Sequence, residues 1–208
     1  MYLKRIRRRM VSRRHVVYTE CPFKTNHAKT MPKRLLISYA HPDDESFGLG
    51  GLISKYVSEG VEVHYLCATN GDVGTVAPEL LNGFKSVAEL RLSELEKASA
   101  LLGFKSVHRL GYRDSGMMGS ETTRHPDSLW YAHEHKPAEV TRRVVEVIRE
   151  TRPHAIITFN RYGGYGHPDH IAIQQATTDA FHKSGDPLFA TGHEAWQTPK
   201  LYYSSVAR

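Results

Sequence analysis

The chain has 208 residues, 40% hydrophobic and 24% charged, enough to bury one substantial core and too little for several large domains. Its formal charge of +6 is unevenly placed: residues 1–34 hold eleven Lys or Arg against Glu20 alone, leaving seventeen basic and twenty-one acidic residues, about −4, in residues 35–208. This division argues against a nucleic-acid-binding body, the apolar runs are too short to span a bilayer, and two cysteines, Cys21 and Cys67, exclude a disulfide framework. A cytoplasmic protein is the resulting expectation, with homo-oligomerisation left open.

Residues 1–33 carry Arg7, Arg8, Arg9, Arg13 and Arg14 without sustained periodicity. They read as a disordered basic leader, or as an overextended start with Met31 as the natural beginning, ahead of one domain over 34–208. From Arg34 the pattern alternates. Arg34–Ala40 reads as a buried strand, Phe47–Glu59 as a helix and Val61–Ala68 as a second strand, with the turn residues 69–74 following. Ser86–Leu102 reads as an amphipathic helix and Val107–Leu110 as a short strand. Gly111–Lys136 is irregular, and a loop of that length suggests a binding loop or lid. Pro137–Thr151 (helix), Ala155–Phe159 (strand), Pro168 to about Lys183 (helix) and Thr198–Ser204 (strand) complete the order. Strand alternating with helix predicts an α/β, mainly parallel sheet with helices on both faces and a ligand site beyond the carboxyl ends of the strands.

Two motifs fall at such ends. Ala40-His41-Pro42-Asp43-Asp44-Glu45 follows the first strand, and His167-Pro168-Asp169-His170 follows the loop after Phe159. Proline in second place suits the first residue of a helix, so residues one and four of each motif should lie about a turn apart. His41, Asp44 and His170 thus form a two-imidazole, one-carboxylate set suited to Zn2+, or to Fe2+, with open positions for water and substrate. Asp43 is the expected general base. His167 is expected to stabilise an oxyanion or protonate a departing amine, and Asp169 to bond the far nitrogen of His167 and favour its imidazolium. A single His-Pro-Asp is weak evidence, since aspartate caps helices; His125-Pro126-Asp127-Ser128 reads as loop structure. His64, His108, His154, His182 and His193 read as surface or packing residues. Glu45 receives no catalytic role beyond a supporting or helix-start carboxylate.

Ala40-His41-Pro42-Asp43-Asp44-Glu45 with Gly164-Tyr165-Gly166-His167-Pro168-Asp169-His170 resembles the PIG-L or LmbE-like deacetylases, over roughly Arg34 to Tyr203. The resemblance implies a Rossmann-like fold, zinc on His41, Asp44 and His170, Asp43 as base, His167 as electrophilic or acid partner, and Tyr165 as an oxyanion donor. It casts Arg91, in Arg91-Leu92-Ser93-Glu94, as a sugar or phosphate contact and Asp114, in the segment 111–117, as a binder of sugar hydroxyls. Read without it, Tyr165 is one more loop aromatic, Arg91 is a helix charge able to pair with Glu94, and Asp114 lies in a turn after a strand. Family members usually continue beyond the strand matching Lys200–Ser204, so part of the pocket is expected to be missing. The expected function is metal-dependent removal of acetyl from an N-acetylglucosamine-type small-molecule conjugate. The alternatives are an inactive or truncated homologue that binds sugar, a nucleic-acid-associated protein acting through the leader, and a less favoured metal-dependent phosphoesterase.

Overall fold

In the computed structural model of the chain, residues 32–205 are described. The expectation of a basic leader, and Cys21 with it, therefore falls outside the described residues, apart from Pro32 and Lys33. β1 (Arg34–Tyr39) and β2 (Glu62–Thr69) are buried along nearly their whole length, as strands covered on both faces must be. With β3 (Ser106–Tyr112), β4 (Ala155–Phe159) and β5 (Lys200–Ser204) they form a five-stranded, all-parallel sheet in the order β3-β2-β1-β4-β5. The order reverses on either side of β1, so the loops after β1 and β4 diverge around a crevice at the carboxyl end of the sheet.

Helices cover the sheet in two groups. α1 (Asp44–Ser58) packs on α2 (Val87–Leu102) and on β1 and β2. α3 (Leu129–His135), α4 (Pro137–Thr151) and α6 (Pro168–Lys183) pack on one another, and α4 and α6 also lie on β1. Between β4 and α6 the chain makes a single turn, α5 (Gly163–Gly166), broken at Gly164. Leu36, Ile37, Leu66, Ile156, Val144, Ile148 and Ile173 are fully buried between the layers. Ser38 also lies there, its hydroxyl 2.7 Å from that of Thr177 on α6, so this buried polar pair satisfies itself.

Several bounds differ from the sequence reading: β3 runs two residues beyond Leu110 and β5 begins at Lys200, not Thr198. The irregular segment 111–136 contains a short 3₁₀ turn, Glu121–Arg124, and α3, begun by the Ser128 hydroxyl accepting from the Tyr131 N–H at 3.2 Å. Seven residues make only two turns, too few for a helical periodicity to show. α1 begins at Asp44, not Phe47, because Asp44 and Glu45 occupy a first turn that favours negative charge.

Candidate metal centre

The two His-Pro-Asp motifs do not fold alike. Pro168 occupies the first helical position of α6 as expected, and His167 caps the helix, its Nδ1 accepting from the Asp169 N–H at 3.2 Å. Pro42 instead lies in the turn before α1, and Asp43 at the helix boundary adopts φ 127°, ψ −26°, a region that costs an L residue about 1–3 kcal/mol. That conformation prevents Asp43 from capping α1 and turns its carboxylate into the crevice. Three contacts hold the turn: the Tyr65 hydroxyl donates to the His41 carbonyl (2.9 Å), the His41 N–H donates to Asp44 Oδ2 (2.7 Å), and the Asp43 N–H donates to Glu45 Oε2 (3.1 Å). Glu45, left without a catalytic role by the sequence, is fully buried with its carboxylate under the backbone of Asp43 and also accepts from the Ser46 hydroxyl.

Across the crevice, His170 stacks on Phe159 with ring centroids 4.0 Å apart, and its Nδ1 donates to the Gly163 carbonyl at 3.1 Å. Gly163 has φ 62°, and a Cβ there would lie 2.8 Å from the Cβ of His170, so glycine is required for this approach. With the proton on Nδ1, the Nε2 lone pair points at His41. His41 Nδ1 and His170 Nε2 are 3.1 Å apart, His41 Nδ1 and Asp44 Oδ2 are 3.4 Å apart, and His170 Nε2 and Asp44 Oδ1 are 3.4 Å apart. Asp44 meets His41 through Oδ2 and His170 through Oδ1, so the two imidazole nitrogens and this carboxylate lie close enough together to share a divalent cation.

The other face of His41 meets carboxylates. Its Nε2 lies 3.2 Å from Asp169 Oδ2 and 3.6 Å from Asp114 Oδ1. Two groups among the described residues bring ligand atoms within 4.8 Å of one another: His41, His167 and His170, and His41, Asp114, His167 and Asp169. Asp169 is already engaged: its Oδ2 accepts from the Ser115 N–H at 2.9 Å and its Oδ1 from the Ser115 hydroxyl. Asp169 thus faces His41 Nε2, which leaves Nδ1 directed at His170 and Asp44. This corrects the expectation that its carboxylate bonds His167; only its backbone does.

The electrostatics ask for a cation here. Burial pushes the His41 imidazole towards neutrality, but Asp114, Asp169 and Asp44 outweigh it and raise its pKa well above the usual value. Burial opposes ionisation of Asp44, yet hydrogen bonds from His170 and His41 hold it well below the usual carboxylate range. Burial also raises Asp114, and His41 reverses this, bringing it to about 2. His167 is pushed down to about 4, first by burial and then by the charge on His41, so it is not the imidazolium that the sequence suggested. Because its Nδ1 accepts from a backbone N–H, its proton resides on Nε2.

A groove of about 480 Å³ opens over these groups, and Asp43, Arg91, Met117, Tyr165 and His167 line it. Tyr165 is largely exposed, its ring 5.1 Å from that of His170. Asp114 is buried and receives the Gly116 N–H at 2.8 Å, while Asp72 Oδ1 accepts its own N–H at 2.8 Å. Arg91 does not pair with Glu94: its Nη2 donates to Asp43 Oδ2 at 2.7 Å and to the Pro42 carbonyl at 2.5 Å. Burial raises the Asp43 carboxyl to about 6 despite that arginine. His125 and Asp127 of the third copy line a separate groove, 3.9 Å apart. Cys67 is buried and free, and no helix among the described residues is long and apolar enough to cross a membrane.

This geometry has relatives. The 1D-myo-inositol 2-acetamido-2-deoxy-alpha-D-glucopyranoside deacetylase of Thermomonospora curvata is 39% identical over 185 residues, covering 85% of this chain and 61% of that protein. The enzyme of the same name from Thermobifida fusca is 40% identical over 179 residues, covering 82% and 61%. The chain thus spans about six-tenths of the length of these curated relatives. The N,N'-diacetylchitobiose deacetylase of Pyrococcus horikoshii, solved with an inhibitor, superposes with a TM-score of 0.62 at 28% identity, covering 80% of this chain and 57% of that one. Residues 36–181 match the family model described as PIG-L, GlcNAc-PI de-N-acetylase, and the chain belongs to that family.

Proposed function

We propose that the protein is a divalent-metal-dependent N-deacetylase acting on an N-acetylglucosamine-type conjugate, with zinc, or ferrous iron in its place, held by His41, Asp44 and His170. The observation that carries this reading is the approach of His41, His170 and the Asp44 carboxylate within 3.1–3.4 Å of one another, with Asp43 in the same groove. The ion supplies Lewis acidity, polarising the acetamide carbonyl and making water acidic enough to attack at neutral pH. Asp43 accepts the proton of the attacking water and is placed to pass it to the departing nitrogen. His167 donates its Nε2 proton in a hydrogen bond to the carbonyl oxygen as negative charge develops, with the Tyr165 hydroxyl as a second donor. Asp169 fixes the tautomer of His41. Asp114, buried and ionised, accepts from sugar hydroxyls, and Arg91 lines the same groove beside Asp43. Acetate and a free amino sugar leave. The curated relatives make an N-acetylglucosaminide of inositol the first substrate to assay, and the buried free thiol of Cys67 accords with a cytoplasmic setting.

The test is Asp43→Ala. Free-amine release should fall by about 10²–10⁴-fold, the scale of a lost general base, while metal content stays at the wild-type level. Normal turnover in that variant would refute the mechanism.

A further inference from the structure

Asp43 carries its carboxylate under poor local control. Its side chain is about half exposed at 47%, it makes no cap contact with α1, and its backbone is in a costly conformation. A carboxylate left that free samples several rotamers, and a base displaced by 1 Å can lose about 10²-fold in rate. We propose that Arg91 is the positioning residue that holds Asp43 in its working orientation, an inference that rests on Asp43 being the base.

The contacts support this directly. One nitrogen, Nη2, donates both to the Pro42 carbonyl and to Asp43 Oδ2, so a single guanidinium fixes the peptide entering Asp43 and the carboxylate leaving it. Oδ1 remains free for the water proton. The arginine is itself confined, its side chain only 16% exposed. The loop after β2 is shaped around it: a Cβ at Gly74 would lie 2.5 Å from Arg91 Nη1, and one at Gly71 would lie 3.0 Å from Nε and 3.1 Å from Pro42 Cδ. Gly71 also requires its φ of 64°. Two small residues thus leave a slot that the guanidinium fills. Lysine has donors enough for both acceptors, but its ammonium does not fill the planar slot that holds the guanidinium in place.

The decisive measurement is the division of the effect between kcat and KM. Arg91→Ala should lower kcat by about 10–100-fold, with KM changed by less than about threefold and zinc content unchanged. Added guanidinium should restore part of the rate, and Arg91→Lys should fall between the two. Gly74→Ala should reproduce the kcat loss while leaving the charge in place, and it decides the matter if Arg91→Ala fails to fold. A crystal structure of zinc-loaded Arg91→Ala should show the Asp43 carboxylate in more than one orientation. A raised KM with kcat intact would overturn the proposal and leave Arg91 a sugar contact; an Asp43 carboxylate unmoved in that crystal would overturn it as well. If the wild type releases no amine from any acetylated amino sugar, the proposed function fails, and the crystal structure still decides whether Arg91 positions Asp43.

Discussion

Asp169→Asn isolates the carboxylate behind the metal centre. Asp169 is fully buried, and its Oδ2 accepts from the Ser115 N–H at 2.9 Å and faces His41 Nε2 at 3.2 Å. Asparagine is nearly isosteric, and its oxygen can keep both contacts while its NH₂ faces the Ser115 hydroxyl, which already accepts from the Trp130 N–H at 2.9 Å. What is lost is the charge. A hydrogen bond to a charged partner contributes about 1.5–3 kcal/mol and a neutral one about 0.5–1.5, so the His41 bond weakens by about 1–1.5 kcal/mol. That corresponds to about tenfold in zinc affinity, at the low end of the range for an outer partner of a ligating histidine. The assay is competition for zinc against a chromophoric chelator at neutral pH, with circular dichroism verifying the fold. Asp169→Ala should do more, because it strands two buried N–H groups. Unchanged zinc affinity in Asp169→Asn would refute the assignment of Nδ1 to the ion and Nε2 to Asp169.

Two further predictions concern stability. Arg149 is buried on α4, donating to the carbonyls of Ser184 (3.0 Å), Phe189 (2.7 Å) and Asp186 (2.6 Å) and to the Thr191 hydroxyl (2.8 Å). Arg149→Leu should lower unfolding free energy by about 3 kcal/mol and the melting temperature by about 6–12 °C, and a shift under 2 °C would show that the 184–193 loop holds itself. His64 has its Nδ1 on the Ser106 hydroxyl at 2.7 Å and an unpartnered Nε2, and burial foremost pushes its pKa down to about 4. Between about pH 6.5 and 4 the unfolded chain therefore binds more protons at this site, so the stability contribution of neutral His64 falls as pH falls through that window. Denaturant unfolding at pH 7, 6 and 5 should show a shallower pH dependence in His64→Asn than in the wild type, and identical slopes would contradict the shift.

What the sequence determined by itself was the local part. Continuous apolar runs, helix stops and the order strand-helix-strand depend on neighbouring residues, so the parallel α/β sheet and the bounds of β4, α4 and α6 could be read directly. That His41, Asp44 and His170 approach one another could be anticipated too, because both motifs follow strands at the same end of a parallel sheet. The tertiary structure decided which atoms meet. Asp169 turned to His41 because the 111–116 loop brings Ser115 against it, and Arg91 left Glu94 because the turn at Asp43 and the glycines at 71 and 74 offered two better acceptors. Glu45 found its place as acceptor of the Asp43 N–H in a turn where Asp43 takes φ 127°. None of these partners is set by spacing along the chain. A carboxylate or guanidinium is paired by whatever buried donor or acceptor the folded chain leaves within about 3 Å, and leaving one unpaired costs more than a local propensity can offset.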